Sequence, residues 1–232
     1  LLGIIHWYLF INFGYTEFNM YDWVYTYPLH DLLKISITTF EIPYHAKMYN
    51  LPIEQYSDVK FEATNGPWII RWFAHGHPLV SPHLFLISFF DLKTMITLNI
   101  IFHYSIGFLG IYFWINKLKL TIFSSFYLIL LFNLNGFLIS KMSIGHLGFC
   151  SAYFYIPLFL FLLNFFCEKN TNFTDGIKKV IYFALFIFLC KLNGNGQNIY
   201  QFLLVSSIFV FFFPNRWIYF IFFLILSFLL LS

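Results

Sequence analysis

Charged side chains are scarce in this sequence. They make up 10% of its 232 residues, while 60% are hydrophobic. A soluble domain carries about 25% charged residues. A chain this poor in charge cannot cover its surface with polar groups, so its solvent is lipid. The mean hydropathy of +0.75 agrees. Basic residues do not cluster, and the net charge of +3 is scattered, which argues against a nucleic-acid-binding surface. Cysteine is limited to Cys150, Cys167 and Cys190, all in or at the ends of apolar runs and none in a C-x-x-C pair. They read as small buried hydrophobes rather than zinc ligands. The G-x-S-x-G elbow, the P-loop, H-E-x-x-H and G-x-G-x-x-G are also missing, which sets aside the chemistries they serve.

What the sequence does contain is one long polar stretch, Gly14 to His83, inside an otherwise apolar chain. It holds Glu17, Asp22, Asp31, Glu41, Glu54, Asp58 and Glu62, and also His30, His45, His75, His77 and His83. Six of the eight prolines lie there too. The expected organisation is a single transmembrane domain over 1–232, with 14–83 as an outer loop region containing short interfacial helices. Residues 27–40 fit one such helix, with Leu29, Leu32, Leu33 and Ser36 on one side and His30, Asp31 and Lys34 on the other. Trp23, Trp68 and Trp72 suit the membrane interface.

The remainder reads as an all-α bundle of about six to seven spans. Leu1 to Phe13 is too short to cross alone and reads as the tail of a first helix. Leu84 to Phe90 is a short apolar stretch. Further spans are expected at Thr94–Ile115, Leu120–Ile139, Leu147–Phe166, Val180–Leu192, Ile199–Phe213 and from Trp217 onward. Short polar connections are expected at Ser140–His146 and Asn193–Asn198. The chain opens and closes inside apolar runs and so reads as a fragment. Lys117, Lys119, Lys169, Lys178, Lys179 and Arg216 fall in one set of short loops, which the positive-inside rule makes cytoplasmic. The long loop, Ser140–His146 and Asn193–Asn198 then share the outer face, where residues distant in sequence can converge.

Several stretches could carry chemistry, and each has a plainer reading. Asp22, at the lip of the membrane, is a candidate general base, or else a solvated acid or helix cap. Asp31, Glu41 and Asp91 are weaker candidates of the same kind. Paired acids could hold a divalent metal ion, but no spacing specifies one. His75-Gly-His77, after Arg71, could meet a phosphate or move a proton, or could simply form a turn set by Gly and Pro. Lys141 and His146 are costly between two membrane helices unless used or paired; the alternative is a snorkelling lysine and an interfacial histidine. Gln197 and Asn198 could hydrogen-bond a sugar or phosphate, or could belong to an ordinary turn. His103 and Asn133, inside spans, are expected to hydrogen-bond neighbouring helices.

In order, the segments MYDWVYTYPLHDLL, IIRWFAHGHPLVSPHLFLISFFDL, LNGFLISKMSIGHLGFCSAYFYIPLFLFL and NGNGQNIYQFLL resemble the amino-terminal half of the YfhO-like bacterial polytopic membrane proteins. These are similar to GT-C-type glycosyltransferases. The segment around His146 is the most specific part of the likeness, and Gly76-His-Pro78 comes next. The resemblance implies a multi-span enzyme of the bacterial inner (plasma) membrane with its active face outward. Such an enzyme takes a sugar from a polyprenyl-phosphate donor and passes it to an acceptor. It implies that Asp22 is the catalytic acid of the first outer loop, with no second acid beside it, since Trp23 follows. Arg71, His75, His77, Lys141 and His146 would hold the phosphate, and Gln197 and Asn198 the sugar.

A transporter or lipid flippase is the first rival, and it predicts charged or broken helices near the membrane midplane. A non-enzymatic membrane assembly protein is the second. A histidine-dependent membrane acyltransferase is the third.

Overall fold

The computed structural model describes residues 2–15, 17, 21–23, 34, 89–168, 172–192, 196–213 and 217–231. Among them there is helix and no strand. Leu2–Tyr8 (α1) leads into a short 3₁₀ turn, Ile11–Gly14. After the polar stretch come Leu92–Leu118 (α2), Ile122–Asn133 (α3) and Gly136–Ser143 (α4). Leu147–Cys167 (α5), Phe173–Leu192 (α6), Gly196–Phe211 (α7) and Trp217–Leu231 (α8) complete the order.

Local chemistry sets the helix ends. The Asp91 carboxylate accepts from the Thr94 backbone N–H at 3.1 Å and starts α2, meeting one of the donors a helix start leaves unpaired. Lys119 takes a left-handed conformation (φ 48°) and closes it. Thr121 caps α3 in the same way as Asp91 caps α2. Asn172 accepts from the Asp175 N–H at 2.8 Å just ahead of α6.

Three stretches are long and apolar enough to cross a membrane: Lys93–Leu118, Ile122–Ser143 and Leu147–Cys167. The first and third match expectation within a few residues. The second differs. The expected span over Leu120–Ile139 continues to Ser143 and is interrupted at Leu134. There Asn135 accepts from the N–H groups of Phe137 and Leu138 and starts a new helix. The Tyr153 hydroxyl fills the break, donating to the Phe132 carbonyl at 3.1 Å while receiving from the Asn135 amide. The expected connection Ser140–His146 is therefore half helix. The expected fifth span also lengthens, because α6 takes in Phe173 to Lys179. Helices α7 and α8, of 16 and 15 residues, are shorter than the roughly 20 residues a span needs.

Helices α2 and α5 run parallel and very close. A Cβ at Gly107 would lie 2.5 Å from the Phe154 carbonyl oxygen, and one at Gly110 would collide with the Leu158 backbone nitrogen. Small residues permit this approach, which dispersion then rewards. Pro157 lies inside α5 at this seam, and its carbonyl accepts from the Trp114 indole at 3.0 Å. One core gathers Trp7, Trp23, Met95, Tyr104, Phe132, Met142 and Phe154. The other is an aromatic stack of α5, α6, α7 and α8, with Phe159 on Phe202 at 4.4 Å and Phe183 on Phe223 at 4.6 Å. The three cysteines are buried and free, as expected.

Polar side chains lock the first core. The Trp7 indole donates to the Asn133 carbonyl at 3.0 Å, and the Tyr104 hydroxyl donates to the Asn133 side-chain oxygen at 3.1 Å. At the end of the bundle where α2 finishes, the Lys117 ammonium meets Glu168 and the Asn164 amide oxygen. Lys179 reaches the Glu168 carbonyl at 3.1 Å. Two of the basic short-loop residues therefore share one network at this end of the bundle.

Candidate functional site

The opposite end of the bundle carries the site, built on the turn between α4 and α5. A helix leaves its last carbonyls without intrahelical donors. Here the chain at residues 22–23 supplies them. The Trp23 indole donates to the Ser143 carbonyl at 3.0 Å, and the Asp22 backbone N–H to the Ile144 carbonyl at 3.0 Å. Gly145 has φ +90°, a conformation that favours glycine. It also leaves room for the docked segment, since a Cβ there would lie 2.7 Å from the Trp23 nitrogen.

Trp23 was expected at the lipid interface. In the structure it is fully buried and fastens residues 21–23 to the bundle. Ahead of it, Tyr21 is held at φ 51°, an uncommon conformation for a residue with a side chain. Strain of this kind is kept only where the surroundings impose it.

The docking brings two sequence candidates together. The Asp22 carboxylate pairs with Nε2 of His146. The Asp22 side chain is about half exposed, at 48%, and that of His146 less so, at 26%. The pair is thus anchored on its buried side and open on the other. His146 is held by its own backbone N–H, which donates to the Lys141 carbonyl at 3.0 Å, and by stacking on Phe149 with ring centres 5.4 Å apart. The Lys141 ammonium lies over the same Phe149 ring at 5.3 Å and over Phe137 at 5.6 Å. No carboxylate pairs with Lys141 among the described residues. Nδ1 of His146 is buried and has no hydrogen-bond partner among the described residues.

A carboxylate hydrogen-bonded to an imidazole can accept a proton from a hydroxyl and pass it on. An ammonium held near by can offset negative charge that develops beside it. Asp22 and His146 form the pair, and the Lys141 ammonium lies over the Phe149 ring on which His146 stacks. Arg71, His75 and His77 lie outside the described residues, as do Asp31 and Glu41. Gln197 is in the first turn of α7, and its side chain also lies outside the description. Asn198 is buried within the bundle at 9% exposure, so it faces neighbouring helices rather than the open lip. Asp91 is exposed and serves as the α2 cap. The Thr94 hydrogen bonds hold its carboxyl below the usual carboxylate range. Lys34 donates to the neighbouring Phe90 carbonyl at 3.0 Å.

Sequence reasoning missed Trp23 and Gly145 as the residues that position the pair. A glycine directly before a candidate histidine was the available signal. Among the described residues, no group of three His, Cys, Asp or Glu side chains is placed to hold a metal ion. No family model matches the sequence, no curated protein matches it and no solved structure matches the fold.

Proposed function

We propose that this chain is part of a GT-C-like membrane glycosyltransferase that moves a sugar from a polyprenyl-phosphate donor to an acceptor on the outer face of the membrane. One observation carries the reading: the Asp22 carboxylate meets the His146 imidazole at a membrane-helix end, beside the Lys141 cation. The acceptor oxygen attacks the anomeric carbon of the sugar. The bond from that carbon to the phosphate oxygen breaks, and its electron pair leaves with the phosphate. Asp22 takes the acceptor proton and His146 stabilises the protonated pair. Lys141 offsets the charge on the departing phosphate. The proposal includes about six to seven spans, an outer loop over 14–83 and residence in a bacterial inner membrane. A donor entering sideways from the bilayer reaches a site at this edge.

The test uses membranes carrying the full chain, supplied with radiolabelled polyprenyl-phosphate sugars, and compares wild type with Asp22→Asn. Transfer lost in the variant at normal expression supports the reading. Equal transfer from both removes Asp22 from the chemistry. No transfer from either, across several donors, rejects the enzyme.

A second reading, a transporter or lipid flippase, draws on the broken helix at Leu134 and the buried His103 inside α2. It predicts that proteoliposomes move labelled lipid between leaflets, and that Asp22→Asn leaves this movement unchanged.

A further inference from the structure

A second group of polar side chains lies deep in the seam between α2 and α5, away from the Asp22–His146 pair. His103 is 3% exposed, and its Nδ1 shares a hydrogen bond of 2.8 Å with the Tyr155 hydroxyl. The two rings meet edge to face, with centres 5.4 Å apart. His103 lies about 17 Å along α2 from its first residue, at 1.5 Å per residue, which places it near mid-depth of the span. Asn99 precedes it by one helical turn and so lies on the same face. Asn99 is 6% exposed, and its side-chain oxygen has no hydrogen-bond partner among the described residues.

An unmet carboxamide oxygen in a bilayer interior carries a large desolvation cost. Buried polar atoms of native proteins nearly always have a partner. The Tyr155 hydroxyl accounts for one nitrogen of the imidazole and leaves Nε2 for another partner. When the phenol donates to Nδ1, Nε2 carries the ring proton. A hydroxyl between the two helical neighbours then accepts from Nε2–H and donates to the Asn99 oxygen, satisfying both.

We propose that Asn99, His103 and Tyr155 form an intramembrane site for one protic group, a water molecule or the hydroxyl of a membrane alcohol, held between the Asn99 oxygen and the His103 ring. The site needs no charge. It is independent of Asp22 and of the transferase reading. Polar and ionisable residues at this depth are expensive to keep and mark functional positions, and here the cost falls on a single unmatched acceptor.

The experiment is magic-angle-spinning NMR of the full chain, with ¹⁵N-labelled histidine, in vesicles of perdeuterated phosphatidylcholine. The His103 ring signals are identified by their loss in His103→Phe. One sample holds phosphatidylcholine alone, which has no hydroxyl. A second adds a protonated polyprenol. Polarisation passing from water protons to the His103 ring in the first sample identifies water as the guest. Polarisation reaching the ring from the alcohol, and only in the second sample, identifies a membrane hydroxyl. In either case the transfer is lost in Asn99→Leu and retained in Asn99→Ser, which keeps an oxygen. Asn99→Val stands in if the leucine variant does not fold. No transfer to His103 in either sample overturns the proposal, as does transfer unchanged when the Asn99 oxygen is removed.

Discussion

The Asp22 carboxylate pairs with the His146 imidazole, joining the polar stretch after α1 to the first residue before α5. The pair is open to solvent on one side, while its neighbour Trp23 is fully buried. The ion pair and the buried tryptophan therefore make separable contributions to stability. A half-exposed ion pair contributes about 0–1 kcal/mol, whereas truncating a buried tryptophan costs about 3–5 kcal/mol. Asp22→Asn is expected to leave unfolding in detergent nearly unchanged, and Trp23→Ala to lower the denaturant midpoint strongly. Comparable losses from both variants would contradict this division.

Gly145 is constrained by its φ of +90° and by the Trp23 backbone 2.7 Å from where a Cβ would sit. Gly145→Ala is expected to release residues 21–23 from the turn. Amide hydrogen exchange reads this directly, as faster exchange at the Asp22 N–H, with α5 itself still protected. Unchanged protection at Asp22 would show that the turn tolerates a side chain.

The α2–α5 seam depends on two glycines. A Cβ at Gly110 meets backbone atoms of Pro157 and Leu158, and one at Gly107 meets the Phe154 carbonyl together with the tip of the Phe132 ring. Overpacking typically costs about 1–3 kcal/mol, and Gly110→Val is expected to reach the upper part of that range because the helices must separate. Cross-linking between cysteines introduced at Ile106 and Leu158 reports the separation, and it should slow in the variant.

Asp91 provides a pH signature. Its folded carboxyl is held below its ordinary value by the Thr94 hydrogen bonds, with a further contribution from Lys34. A depressed carboxylate contributes stability that is fully present above its unfolded pKa. That stability is lost as pH falls through the folded value. The difference in melting temperature between wild type and Asp91→Ala should therefore be constant near neutral pH. It should shrink below about pH 4, the ordinary range of an aspartate. Asp91→Asn, which still caps, should show the smaller loss at neutral pH. A difference that grows on acidification would refute the sign.

Lys117 binds Glu168 and Asn164 and lies over the Trp114 and Phe161 rings at 5.9 and 5.6 Å. Each cation–π contact contributes about 0.5–1 kcal/mol at exposed sites. Lys117→Met is expected to lower stability moderately. Lys119→Met, at an exposed position with no such network among the described residues, should change it little.

Much of the helical frame was legible in the chain. The helices Leu92–Leu118 and Leu147–Cys167 follow from long apolar runs ended by polar residues. The break at Leu134 was not. The run there remains apolar, and the interruption depends on Asn135 capping a new helix and on Tyr153 arriving from α5 to occupy the gap. Nor did α6 begin where its apolar run begins. Asp175, Lys178 and Lys179 are helical because Asn172 caps the start and Lys179 finds Asp175 and the Glu168 carbonyl. The turn residues of the site showed only as types: a glycine, a histidine and a lysine between two spans.

Composition and periodicity alone determined helices, with stretches long and apolar enough to cross a membrane, and a separate polar stretch that holds most of the acidic side chains. Those properties depend on how each segment partitions between water and hydrocarbon, and neighbours in sequence suffice to set them. Only the tertiary structure decided that Asp22 meets His146, that Trp23 anchors the turn after α4, and that Asn99 and His103 share a seam with Tyr155. Each of these requires two segments distant in the chain to satisfy one another's polar groups. The close approach permitted by Gly107, Gly110 and Gly145 is what brings such segments together.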